Sequence, residues 1–216
     1  MKMKKISLII TVILFSLIFT GCPDCLPEIF YYGLTDVKLQ NIDNAGERPV
    51  IIENENQTIL KEAFGIRLTL NLELISDSIN NRCCKNNFFN NISLFNNLYA
   101  FTDGCYTDYI LKDTITSINV FTLNDFDNDF TVGADVSELF KIYSSKKYIS
   151  IDEYLKNYRI SFYPNSYYQS DKNAKSEIDL YLLKPPTFTG EHSFRIEVLL
   201  SDGKVFSAAT PRINLK

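Results

Sequence analysis

The chain has 216 residues, with 22 Lys plus Arg against 26 Asp plus Glu and a net charge of −4 at pH 7. That acidic balance, with no Lys/Arg block longer than two residues, excludes recognition of a phosphate backbone, which needs a clustered basic face. Five cysteines and one histidine are poor material for a zinc or thiol–imidazole centre, whereas 45% hydrophobic content suits a folded domain with its own core.

Met1-Lys2-Met3-Lys4-Lys5 is a short basic start, and the apolar run from Ile6 to Phe19 is interrupted only by Ser7, Thr11 and Ser16. A spanning helix needs about 20 apolar residues. This run is shorter and ends in small residues, so it reads as the h-region of a signal peptide. Its end, Ile18-Phe19-Thr20-Gly21-Cys22, resembles a bacterial lipobox, in which the cysteine thiol is alkylated with diacylglycerol before a peptidase cuts in front of it. Bulky Phe19 departs from that motif. On this reading residues 1–21 are a lipoprotein signal peptide, Cys22 is the lipidation site, 22–34 is a tether and 35–216 is a single domain. Acyl chains of the palmitate kind contribute about 0.8 kcal/mol per buried methylene, so a multiply acylated cysteine is a durable membrane anchor. Cleavage takes Lys2, Lys4 and Lys5 from a net −4 and leaves 195 residues at −7.

With Cys22 lipidated, Cys25, Cys83, Cys84 and Cys105 form an even set in an oxidising compartment, and four cysteines allow three pairings. A ring closed between the adjacent Cys83 and Cys84 is strained, so one of them is expected to pair with Cys25 and the other with Cys105. Which goes to which is open. Each bridge would contribute about 2–4 kcal/mol. No metal or other cofactor is expected, since no second Cys-x-x-C accompanies Cys22 and Cys25, and His192 is the one imidazole.

Period-two alternation predicts strands over Val37–Ile42 and Gly65–Leu74, the latter with Ile66, Leu68, Leu70, Leu72 and Leu74 on one face. Asn86–Asn97, rich in Asn and Phe, reads as a loop with tucked aromatics, and Ile115–Leu123 as a further strand. In the "NDFDNDFTVGAD" stretch that follows, Asp125, Asp127 and Asp129 occupy alternate positions like the start of an EF-hand loop. The match then fails: Phe130 stands where the turn needs Gly and Val136 where the bidentate Glu belongs, leaving a weak calcium candidate.

Ser137–Tyr143 predicts a short turn with Leu139, Phe140 and Tyr143 inward. Ser150-Ile151-Asp152-Glu153 is a capping box that opens a two-turn helix over Ile151–Tyr158. Ser170–Glu177 is polar and reads as a solvated connection, Ile178–Leu183 as a strand. At the end, Phe194–Leu200 and Val205–Thr210 predict a hairpin turned by Asp202-Gly203, with Pro211 bending the chain before Ile213–Leu215. Scarce helix and many short strands predict a mainly β fold, an antiparallel β-sandwich (immunoglobulin-like) with one or two short helices in loops.

No catalytic residues are expected. His192 lies at a strand start, and no nucleophile motif such as Gly-x-Ser-x-Gly accompanies it. Tyr31, Tyr32, Tyr163, Tyr167 and Tyr168 are candidates for a sugar-stacking platform, although tyrosines also fill β-sandwich cores.

The second half of the chain is similar to a family of small uncharacterised lipoproteins of Bacteroidetes, a domain-of-unknown-function family. The likeness rests on the lipobox, the Ile115-x-x-Ile118-x-Val120 strand leading into Asp125-Phe126-Asp127, the Gly133-x-Asp135-Val136-x-x-Leu139-Phe140 segment, "YLLKPP", and the closing hairpin around Asp202-Gly203. It implies a β-rich, lipid-anchored envelope domain of no known activity, a non-enzymatic binding or structural component whose partners are the membrane and, beyond it, other envelope proteins or glycans. Nucleic acid is not among them. It also gives meaning to Asp77-Ser78-Ile79 and Asp113-Thr114-Ile115, which look like that phylum's O-glycosylation sites at Ser78 and Thr114. The same resemblance makes the outer membrane the expected address. Pro23-Asp24 behind Cys22, in place of an acidic run, favours a periplasm-facing anchor over the cell surface; a surface glycan-binding or adhesin-type subunit is the alternative role, and a hydrolase comes third.

Overall fold

The computed structural model describes residues 28–54, 57–77, 107–157, 163–164 and 172–216. Tyr31–Ser76 and Tyr109–Lys216 form one compact unit. A second, Met1–Phe30 with Asp77–Asp108, consists almost wholly of residues outside those described.

The fold is mainly β, with antiparallel sheets packed on each other as a sandwich. In chain order the strands are β1 (Glu28–Asp43), β2 (Val50–Ile51), β3 (Thr58–Ile59), β4 (Phe64–Asp77), β5 (Thr107–Leu111), β6 (Ile115–Thr122), β7 (Phe140–Ser144), β8 (Lys147–Ile149), β9 (Tyr163–Pro164), β10 (Asn173–Leu182), β11 (Gly190–His192), β12 (Phe194–Leu200), β13 (Val205–Ala209) and β14 (Ile213–Leu215). A large eight-stranded sheet runs β2-β1-β4-β10-β7-β8, with β5 added on β1 and β9 on β10. Two three-stranded sheets, β13-β12-β6 and β11-β14-β3, complete the set, and β14–β3 is a parallel pair.

The long strands form where the sequence alternates. Along β4, Ile66, Leu68, Leu70 and Leu72 are buried and Arg67, Asn71 and Glu73 face outward, as the period predicts. β12 alternates without a break, Phe194, Ile196, Val198 and Leu200 being buried. These two inner faces meet through Phe194. Its ring stacks on Phe64 of β4 at 5.4 Å and meets Phe140 of β7 edge-on at 5.4 Å. Offset and edge-on pairs of this kind add about 0.5–1.5 kcal/mol beyond the area they bury. Gly65 makes room within the large sheet, between β1 and β10: a Cβ there would stand 2.9 Å from the Leu180 carbonyl oxygen and 3.0 Å from Ile42 Cγ1.

Two expectations change. Ser170–Glu177 is not wholly a connection, because β10 begins at Asn173 and pairs with β4 from Asn173↔Glu73 to Tyr181↔Gly65. Its first inward residues are Ala174 and Ser176, small or polar, so no hydrophobic period announces the strand. Tyr143 points outward, not inward. Ser137–Leu139 is a single 3-10 turn, and from Phe140 the chain is strand, so Phe140 and Ile142 face the core and Tyr143 falls on the opposite face.

The capping box holds in its first half. The Glu153 backbone N–H donates to Ser150 Oγ at 3.1 Å, opening α1 (Ile151–Asn157), while the Glu153 carboxylate takes Lys147 Nζ at 3.0 Å. The hairpin turn forms as read: Gly203 adopts φ +87°, its N–H donates to Leu200 O at 3.0 Å, and Asp202 Oδ1 accepts the Lys204 N–H at 2.9 Å.

Candidate functional site

Cys22, Cys25, Cys83, Cys84, Cys105 and Ser78 lie outside the described residues, as do Tyr167 and Tyr168. Tyr163 falls in β9, and Tyr32 is buried beside Tyr109, so Tyr32 presents no open ring face to a sugar. Thr114 is exposed between β5 and β6, where its carbonyl accepts the Ser201 N–H and its own N–H donates to Ser201 Oγ.

The acidic loop uses its carboxylates on itself. Asp127 Oδ1 accepts the backbone N–H groups of Asp129 and Phe130 at 2.9 and 2.8 Å, and Asp125 Oδ1 that of Val132 at 3.2 Å. The loop is pinned inward by Phe126, fully buried against Phe194 and His192. Among the described residues no three Asp, Glu, His or Cys side chains gather as a metal site would require. His192 is buried and its Nε2–H donates to the Phe188 carbonyl at 3.0 Å; burial pushes its pKa below the ordinary imidazole value. The adjacent Ser193 hydroxyl is spent on Asn124 Oδ1 at 3.1 Å.

The structure gathers a different set of tyrosines on the outer face of the large sheet. Tyr143 of β7 and Tyr148 of β8 are directly opposite in register, their rings 5.1 Å apart and tilted by 57°. Tyr181 of β10 meets Tyr148 edge-on at 5.9 Å. Tyr143 is 53% and Tyr148 46% exposed. Beside them Asp179, two residues before Tyr181 and on the same face, holds Arg67 of β4 by two parallel bonds, Nε–Oδ1 at 2.7 Å and Nη2–Oδ2 at 2.8 Å. Glu177 lies 3.7 Å from the same guanidinium. The bidentate carboxylate raises the Arg67 pKa. Partial burial and the Asp179 charge push the Tyr181 phenol up to about 12, so it stays a neutral hydrogen-bonding group at physiological pH.

The β7–β8 hairpin that presents Tyr143 and Tyr148 turns through Ser145 and Lys146, both with positive φ, +50° and +65°. Two such residues make a type I′ turn, whose right-handed twist suits a hairpin and which usually carries Asn-Gly. Without that dipeptide the hairpin gives no sequence signal. The one available cue was the equal spacing of Tyr143 and Tyr148 from the Ser145-Lys146 pair.

A cleft of about 460 Å³ lies where β6, the 3-10 turn, β7 and α1 meet. Asp135, Glu138 and Asp152 line it together with Lys141. Asp135 is committed to the Ser137 backbone N–H at 2.9 Å, so the cleft is a wet polar recess with one carboxylate already engaged.

Comparison with known proteins finds no curated protein and no solved structure that matches. A family model does match, over residues 34–211, and it spans both the tyrosine face and the cleft. The chain therefore belongs to the family described as a domain of unknown function, DUF5034.

Proposed function

We propose that this chain is a bacterial envelope lipoprotein, anchored to a membrane by acylated Cys22, whose DUF5034 domain is a non-enzymatic binding module working through the tyrosine face. The anchor reading is supported by the basic start, the apolar run and Gly21-Cys22 in that order. No helix among the described residues is long and apolar enough to cross a membrane. Pro23-Asp24 after the cysteine favours a periplasm-facing outer-membrane anchor. Thr114, exposed in the Asp-Thr-Ile pattern, is the residue we assign to O-glycosylation.

The observation that carries the binding reading is the row Tyr181–Tyr148–Tyr143 on one face, Tyr143 and Tyr148 exposed and Tyr181 half-buried, beside the fixed Arg67–Asp179 pair. Aromatic rings with a polar tip and little rotamer entropy to lose are the side chains that anchor recognition. A glycan is the second reading. The tilts of 57° and 81° between neighbouring rings suit a chain gripped ring by ring and not a flat polysaccharide surface.

Two experiments test these assignments. Cys22→Ala is expected to abolish incorporation of labelled palmitate and release the protein from the membrane fraction; a variant still processed and membrane-bound refutes the anchor. In pull-downs from envelope extracts and in binding to an array of envelope glycans, Tyr143→Ala with Tyr148→Ala is expected to lose at least about thirtyfold in affinity, the cost of two aromatic anchors at about 1 kcal/mol or more each. Unchanged capture refutes the face.

A further inference from the structure

The sheet edges of this molecule are not equally protected. β2 and β3 have two residues each, β8 and β11 three. On β6 the outward N–H and C=O groups are occupied by the loop that follows: Thr122 N–H donates to Ala134 O, Gly133 N–H to Thr122 O, Val136 N–H to Val120 O, and Val120 N–H to Ser137 Oγ. β13, at the other edge of the same three-stranded sheet, has five residues and no charge or proline among them. Such an edge is a template for another strand.

The pairing of β13 with β12 fixes which groups are available. Leu200 N–H donates to Lys204 O and Thr210 N–H to Phe194 O, so the even-numbered residues from Lys204 to Thr210 face β12. Val205, Ser207 and Ala209 therefore turn their N–H and C=O groups away from it. Among the described residues no strand pairs with that side. Val205 is 53% exposed, and Phe206 overhangs the core with Lys204 Nζ 4.6 Å above its ring.

We propose that β13 pairs with β13 of a second copy of this chain, antiparallel, about a twofold axis at Ser207, joining two three-stranded sheets into one of six strands. The sequence Val205-Phe206-Ser207-Ala208-Ala209 is self-complementary in that register. Val205 falls opposite Ala209 and Phe206 opposite Ala208, so each large side chain meets a small one. Ser207 meets itself at the axis. The residues with free backbone groups, Val205, Ser207 and Ala209, become the hydrogen-bonded pairs, while Phe206 and Ala208 become the closer non-bonded pair, where a small partner is needed. Asp202 before the strand and Arg212 beyond it come to the same end of the pair with opposite signs. The inference is independent of the tyrosine face, which belongs to the other sheet.

The test uses the full-length chain in non-ionic detergent. With Ser207→Cys, mild oxidation is expected to yield the tryptic peptide Val205–Arg212 joined to itself; Asn119→Cys, two strands away on β6, gives no self-linked peptide. Two differently tagged copies should co-purify, and Ser207→Lys, which sets like charges opposite each other across the axis, should weaken that association roughly fivefold with unchanged circular dichroism. The proposal is overturned if Ser207→Cys gives no self-linked peptide, or if Ser207→Lys copies associate as tightly as the parent. It is equally overturned if the edge is found paired with a different protein's strand and never with itself.

Discussion

His192 shows how a residue type suggests chemistry that its surroundings withdraw. As the one imidazole in 216 residues it was the natural candidate for a base, and a strand-end position was legible from the sequence. Its burial beside Phe126 was not legible, because the ring packs against a residue 66 positions earlier. Burial favours the neutral ring, so the folded pKa lies below the ordinary value of about 6.5. Above pH 6.5 both folded and unfolded chains hold a neutral ring. As pH falls below it the unfolded chain takes up the proton first, and stability is lost progressively down to the folded pKa. The midpoint of urea unfolding is therefore expected to drop between pH 7.5 and pH 5, and His192→Gln, which can still donate to Phe188 O, should flatten that drop. An equal slope in the variant would assign the acid sensitivity to carboxylates instead. The acidic loop is legible in the same partial way: the spacing of Asp125, Asp127 and Asp129 is visible, but that Asp125 and Asp127 brace backbone amides is a property of the folded turn.

Elements with one buried face were readable because burial on one side of a pleated strand imposes a period of two. β4, β6 and β12 satisfy that condition, and each lies close to its expected position. The β7–β8 hairpin does not satisfy it. It is short, Tyr143 and Tyr148 stand where a polar outer face would be expected, and Ser145-Lys146 carries no turn signature. A non-glycine residue held in the left-handed region costs about 1 kcal/mol or more. Ser145→Asn combined with Lys146→Gly restores the residues a type I′ turn prefers. That pair should raise stability by about 1 kcal/mol, seen in calorimetry as a rise of about 2–4 °C in Tm. A fall would mean that the two side chains contribute more than their backbone costs.

At the scale of the molecule, the sandwich closes on Phe194, whose ring touches Phe64, Phe140 and Phe126, drawing together β4, β7 and the acidic loop. Phe194→Ala is expected to cost about 3–5 kcal/mol. Against a total of about 5–15 kcal/mol for a domain, that is enough to unfold a marginal one, and the urea midpoint would fall accordingly. Sheet class was legible from the sequence because it follows from many strands and few helices; the order of strands was not, since β4 and β10 pair across a hundred residues or more. The parallel pair β14–β3 has a bearing on biogenesis. Asn214 and Leu215 align with Thr58 and Ile59, and Lys216 N–H donates to Ile59 O, so β3 waits for a segment made much later in the chain. During synthesis the sheet β11-β14-β3 can assemble only once residue 215 has emerged. Until then β3 and β11 lack the strand that separates them, a window in which a holding chaperone would find this chain open.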